Sequence, residues 1–316
     1  MSATIEHSLV AGFEAVTLQN GIVRAVVLPS LGGRVWELED CRRGRQWIWH
    51  RPGVPLAATT PGDAYDDVWA GGWEELFPND APGPFDGRAL PDHGEWWALP
   101  WTVVERTDGE RARLVLRTTC AILRARCTKT FELEAGGRSL TVHYTIQSDE
   151  PGAVHFLFKQ HLPVALTARC TLDLPGGRVW PVDPAFGSRL SSPGPFDWPI
   201  AAAPQGPVDL RTVPPAPCGE REFVYVSDVP DGWCGVTDHA AGASLRMTFD
   251  RQAMPYVWLF LSYGGWRDVH TAVLEPCTNM PKDLSEAVAR GQSAHMAAHG
   301  SFETSVTVTL GDAEGR

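Results

Sequence analysis

Short runs rich in Val, Thr, Leu and aromatic residues recur along the chain, set apart by Gly, Pro and Asp, and few stretches repeat every three to four residues. Successive side chains of a strand point to opposite faces, so runs of this kind predict strands. The clearest are Ile22–Leu28, Trp101–Arg106, Ala112–Thr119, Cys127–Glu134, Ser139–Ser148, Gly152–Leu157, Arg221–Ser227, Trp233–Thr237, Ser244–Phe249, Tyr256–Ser262, Ala272–Glu275 and Phe302–Leu310. Two pairs read as antiparallel hairpins, turning at Asp108–Gly109 and at Gly136–Gly137. One helix is predicted, Leu284–Arg290, closed by Gly291, which takes the left-handed conformation of a helix end at no steric cost. There is no tandem repeat.

Two stretches lack either period. Arg51–Asp92 is rich in Gly, Pro, Asp and Trp, and Pro181–Pro217 holds ten prolines. Loops this long in a compact domain are functional or disordered. The aromatics of the first mark it as an ordered loop over a site; the second fits a lid, an oligomer contact or a plain insertion. Hairpin following hairpin predicts an all-β fold of large antiparallel sheets packed face to face, with residues 1–316 as one domain and insertions at about 51–92 and 181–217.

Composition narrows the partners. Of 316 residues, 43% are hydrophobic and 21% charged, enough apolar material for a sizeable core. The net charge of −11 repels a phosphate backbone, so nucleic acid is not an expected partner. No apolar run approaches the roughly 20 residues that span a bilayer, so no membrane is expected. The first ten residues, with Glu6 and His7, lack the basic and apolar regions of a signal peptide. The seven cysteines are odd in number and form no CxxC pair, which predicts reduced thiols in a cytoplasm. Thirteen tryptophans against five tyrosines supply aromatic faces of the kind that stack on the C–H faces of sugars.

Four segments concentrate polar and aromatic residues: Gly71–Asn79, Pro91–Trp97, His155–His161 and Val273–Asn279. Read as one strand, the third points His155, Leu157, Lys159 and His161 one way and Phe156, Phe158 and Gln160 the other. One face then meets a core, and the other carries two imidazoles and an ammonium. In the fourth, Glu275 follows the apolar run Thr271–Leu274 and precedes Pro276, which is expected to end the strand. A carboxylate there is partly desolvated, which raises its pKa toward the range of a working base.

In order along the chain, these segments resemble the aldose 1-epimerase (galactose mutarotase-like) family. Val26–Leu38, with Gly32-Gly33-Arg34, looks like that family's first strand and turn. Gly71-Gly72-Trp73 and Pro91-Asp92-His93-Gly94-Glu95 look like its Gly-Gly and His-Gly segments. Gln160-His161-Leu162-Pro163 resembles the strand of its general acid, and Leu274-Glu275-Pro276 through Pro281 the segment of its general base. The resemblance implies a β-supersandwich with a sugar cleft on one sheet and no cofactor. It implies Glu275 as base, His161 as acid, and His93 near the ring oxygen and a hydroxyl. One departure stands out: Glu74 and Glu75 occupy the region where the family carries a substrate-binding arginine. Asp197, Asp228 and Asp238 compete for the position of its sugar-binding aspartate.

A mutarotase interconverts the α and β anomers of a sugar and needs one base and one acid that titrate near the working pH. On this reading His93 and Lys159 hydrogen-bond sugar oxygens, Trp73, Trp97 and Trp266 stack on the ring, and Glu74 and Glu75 accept hydroxyl hydrogens. Arg34, Arg88 and Arg267 lie in or near these loops and could meet an anionic group, so the sugar is expected to be free or anionic, bound by a monomer or homodimer. Two other readings use the same residues. One is a divalent-metal site of His93, Glu95, His161 and Glu74 or Glu75, serving an epimerase or lyase. The other is a sugar-binding regulatory module without turnover.

Overall fold

The period-two runs form three large sheets, antiparallel throughout, in a computed structural model that describes residues 2–183, 185–190, 194–203, 206–215 and 217–313. The first is an N-terminal meander of five strands, Thr4–Val10, Phe13–Gln19, Val23–Leu28, Arg34–Asp40 and Arg45–Gln46. The second has eight strands, with Ser139–Ser148 and Ser301–Asp312 at its middle. In it Ala125–Glu134 alternates buried and part-exposed positions along its whole length, as a strand with one wet face should. The third has seven strands, in the order Phe196–Asp197, Arg178–Pro181, Glu220–Ser227, Tyr256–Tyr263, His270–Cys277, Lys159–Ala165 and Glu74–Leu76. One continuous core joins the sheets: Val16 and Leu18 from the first, Phe131, Val142 and Val306 from the second, Leu162, Leu259 and Leu274 from the third.

The central strands of the third sheet do not alternate. Lys159–Ala165 and His270–Cys277 are buried at almost every position. One face meets the core, and the loops that carry Tyr65, Trp69, Asp183 and Phe186 stand over the other.

Most expected strands are present within a residue or two, including both hairpins. The helix is Leu284–Ala289, with Asp283 accepting from the Glu286 N–H at 2.8 Å and Gly291 in the left-handed region at φ +68°. Two expectations need correction. His155–His161 is not one strand: Val154–Phe156 pairs with Ala294–Met296, the chain steps across at Leu157 and Phe158, and Lys159 opens a strand of the site sheet. The step is fixed by the Leu157 N–H donating to the Pro78 carbonyl and the Phe158 N–H to the Thr278 hydroxyl. It leaves His155 exposed beside Ser293 and His295, away from His161. Nor does Pro276 end its strand, which runs on to Cys277. Among the described residues no helix is long and apolar enough to cross a membrane, and all seven cysteines are unbonded.

Candidate active site

The register of the third sheet assembles the site. Lys159 pairs with Cys277 and Leu162 with Leu274, so His161 lies opposite Glu275. On its other side His161 pairs with Glu74, and Glu275 in turn pairs with Trp258. Directly opposed residues of adjacent strands share a face. Glu74, His161, Glu275 and Trp258 therefore form one row across the sheet, with Lys159 and Cys277 flanking it. The neighbours one position along, Glu75 and Gln160, point into the core between the sheets.

His161 and Glu275 from this row, with Lys159 beside them, floor a cavity of about 200 Å³, smaller than most ligand pockets. His161 Nε2 lies 3.3 Å from Glu275 Oε1, and Lys159 Nζ lies 3.2 Å from the same oxygen and 2.6 Å from Asp80 Oδ2. The ammonium also sits 4.4 Å above the Trp258 ring. Glu275 is 2% exposed, and its Oε2 has no hydrogen-bond partner among the described residues. Loops complete the walls. A helical turn, Tyr65–Val68, brings Tyr65 and Asp66; Trp69, Asp80 and His93 follow, with Phe186, Phe260 and Trp266 across from them. Tyr65 stacks on His93 at 3.9 Å, and Trp69 meets His161 edge to face at 5.1 Å.

Protonation follows from burial and these neighbours. Burial raises the Glu275 carboxyl, Lys159 pulls it back, and the balance lies at about 7. Burial and then the Lys159 charge push His161 well below the ordinary histidine value, so its imidazole is neutral. Burial alone would lower His93, but Asp80 and the Asp92 hydrogen bond at 2.8 Å outweigh it and hold His93 above the usual value. Burial would also discharge Lys159, yet Asp80 and Glu275 keep it charged. Behind the row, Tyr65 donates to Glu74 Oε1 at 2.5 Å, and Arg34 holds Glu74 Oε2 at 2.8 Å. With its proton engaged there, the Tyr65 oxygen is left to accept the Nδ1–H of His161 at 3.3 Å. That tautomer turns the Nε2 lone pair toward Glu275.

Of the residues singled out in the sequence, Glu275, His161, Lys159, His93 and Trp266 come together on the cavity wall. The others lie behind it. Trp73 is buried in the core, donating to Gln160 Oε1 at 2.8 Å. Trp97 packs behind Tyr65, edge to face at 5.0 Å. Glu75 is ion-paired with Lys129 and accepts from Tyr144 at 2.5 Å. Arg34 is buried and, besides Glu74, donates to the carbonyls of Leu31, Gly71 and Trp97. Thus neither member of the Glu74–Glu75 pair lines the cavity, and the buried lysine on its wall is Lys159. Arg88 pairs with Glu150 and Asp86, and Arg267 with Asp67. The metal set is not assembled: the Glu95 carboxylate caps the Ala121 and Ile122 N–H groups at 2.9 and 3.0 Å. Cys277, on the same strand as Glu275, is fully buried, with its thiol pushed up by that burial.

Tyr65, Trp69 and Asp80 are among the site residues that the sequence reading missed. Each lies in the aperiodic 51–92 stretch, where position along the chain says nothing of orientation. Asp80 stood one residue beyond the Gly71–Asn79 segment. Of the three aspartates considered instead, Asp197 pairs with Arg178, Asp238 with Arg45, and Asp228 accepts from the Ser227 hydroxyl.

No family profile matches the chain, and no curated protein matches it in sequence. Solved structures do match over nearly its whole length. A proposed aldose 1-epimerase from Klebsiella pneumoniae is 14% identical with a TM-score of 0.74, covering 98% of this chain and 84% of its own. A galactose mutarotase-like protein from Clostridium acetobutylicum is 14% identical with a TM-score of 0.70, covering 98% and 99%. A galactose mutarotase related enzyme from Lactobacillus acidophilus is 12% identical with a TM-score of 0.65, covering 95% and 98%. The chain therefore has the galactose mutarotase-like all-β fold. At these identities the likeness speaks for the fold, and function rests on the site.

Proposed function

We propose that this protein binds a pyranose sugar in the cavity and interconverts its anomers by acid–base ring opening. The observation that carries this reading is the buried 3.3 Å pair of His161 Nε2 and Glu275 Oε1 on the cavity floor, with a second, unpartnered Glu275 oxygen beside it. A carboxyl at about 7 and a neutral imidazole in contact share one proton between them at neutral pH, so the titration belongs to the pair. The reaction needs that inventory: one site to take a proton and one to give it. In the reacting form the shared proton has moved from Glu275 to His161 Nε2, leaving Glu275 ionised; Glu275 then accepts the proton of the anomeric hydroxyl while His161 gives its Nε2 proton to the ring oxygen. The C1–O5 bond breaks, the aldehyde turns about C1–C2, and the reverse transfers close the ring on the other face with no net proton change.

The surrounding groups fit supporting roles. Lys159 has three N–H donors, two of them engaged by Asp80 and Glu275, which leaves one for a sugar oxygen. Tyr65, held by Glu74, keeps His161 in the tautomer that faces Glu275. Trp69 and Trp266 offer ring faces to the apolar side of a pyranose.

Exchange NMR on a panel of aldoses tests the reading, with Glu275→Gln and His161→Asn beside the wild type. Each substitution removes half of the pair, and removing a general acid or base lowers rates by roughly 10²–10⁴-fold. Both variants should fall by that much on the sugar that the wild type exchanges, with unchanged circular dichroism. Full activity in either would sink the assignment.

A further inference from the structure

The charges on the cavity wall do not fit the anionic sugars that the sequence left open. Phosphate, sulfonate and carboxylate groups are held by arginine forks, uncompensated lysines or converging backbone N–H groups. Among the described residues no arginine lines this cavity. Lys159 is the only buried ammonium among the described residues of its wall, and two carboxylates, Asp80 and Glu275, already meet its charge. Lys282 is exposed at the mouth. Against it stand Asp66, from the 51–92 loop, and Asp183, from the loop across the mouth. Neither Asp66 nor Asp183 forms a salt bridge with a lysine or arginine among the described residues. The nearest arginines approach Asp66 from behind: Arg51 and Arg267 both donate to its backbone carbonyl.

An acidic rim is not in itself a ligand site. Here a second feature points to a ligand, the unpartnered Glu275 Oε2, buried on the same cavity floor. That oxygen is an acceptor. It suits an O–H or N–H group and opposes another anion.

We infer that the site is specific for uncharged sugars, with amino sugars admitted, and that Asp66 and Asp183 exclude sugar phosphates and uronates. The inference rests on the anomerase reading and sharpens its substrate class. A phosphoryl group entering the mouth would lose hydration and meet two like charges, with Lys282 as its free cation, since Asp80 and Asp92 already face His93 and Asp80 and Glu275 already face Lys159. Like-charge juxtaposition of this kind discriminates by roughly a hundredfold or more.

The test has a turnover arm and a binding arm. Exchange NMR compares D-galactose and D-glucose with their 6-phosphates, D-galacturonate and D-galactosamine, at low ionic strength and against the Glu275→Gln control. Saturation-transfer NMR measures binding of the same compounds without requiring turnover. The neutral sugars and the amino sugar should exchange and bind at least about a hundredfold better than the anionic ones. In the Asp66→Asn/Asp183→Asn double variant, the ratio of neutral to phosphorylated sugar should fall at least tenfold in both arms. Equal or better use of a 6-phosphate, or an unchanged ratio in the double variant, overturns the inference while leaving the anomerase reading intact. Absence of exchange for every sugar sinks the anomerase reading, and the binding arm then decides the charge preference on its own. Absence of binding for every sugar overturns both.

Discussion

Glu275 carries a cost that pH should reveal. Its carboxyl stands at about 7 against an ordinary 4.5, because burial disfavours the charged form more than Lys159 favours it. The folded state therefore binds this proton more tightly than the unfolded chain does. The stabilisation is complete below about pH 4.5 and is lost as pH rises through 7, a change of about 3 kcal/mol. Glu275→Gln imitates the protonated form and escapes the loss. Urea unfolding of both proteins at pH 5 and pH 8 should show the variant gaining on the wild type by about that amount. Parallel behaviour would mean that Glu275 is not held near 7. Legibility at this scale was uneven for a physical reason. Glu275 and His161 sit in apolar runs, where a polar side chain needs an explanation. Asp80 and Tyr65 sit among Gly, Pro and Asp, where polar residues are expected. What gives Asp80 its role is Lys159, 79 residues further along the chain.

At the scale of elements, the strands were readable wherever one face is wet. Ser139–Ser148 matched to the residue because its alternation survives into the structure. Lys159–Ala165 was misread because both of its faces are covered, one by core and one by loops, which erases the alternation. The loops themselves are held by backbone geometry that the sequence shows only as glycine. At Gly94, φ is +68° and a Cβ would lie 2.3 Å from the Phe77 carbonyl oxygen. His93 just before it is also left-handed, at φ +59°, and its N–H donates to the Asp80 carbonyl at 2.8 Å. Gly94→Ala should destabilise the protein by more than about 2 kcal/mol, since the strained conformation and the contact with backbone add. It should also weaken sugar binding more than it lowers the melting temperature alone would suggest. Thermal unfolding and saturation-transfer NMR on the same sample check both. A neutral substitution would show that this turn is not what places His93 and Asp80.

Across the whole molecule, the eight-stranded and seven-stranded sheets meet over a polar network that no single stretch announces. Lys129, from the eight-stranded sheet, is fully buried between the sheets. It pairs with Glu75 from the site sheet, donates to the Gly32 carbonyl at 2.7 Å, and lies 4.5 Å above the Trp101 ring. Tyr144 bonds both Glu75 and Gln160, tying the backs of the site strands to the opposite sheet. Lys129→Met alone leaves a buried carboxylate without its cation and should cost about 3–5 kcal/mol. Adding Glu75→Gln should restore more than half of that, as a double-mutant cycle in urea would show. Additive losses would mean that the two charges do not depend on each other.

The row Glu74–His161–Glu275 is written in strand register, whereas the cavity mouth is written in loops. That division sets what the molecule can change. Lengthening or exchanging the loops that carry Asp66 and Asp183 alters the rim and what passes it, and leaves the His161–Glu275 pair in place. A slip of a single residue in the Lys159–Ala165 strand does the reverse: Gln160 would turn to face the cavity and His161 would be driven into the core. The protein can thus acquire a new ligand by changes in its loops, while the chemistry tolerates no insertion or deletion in the strands that carry it.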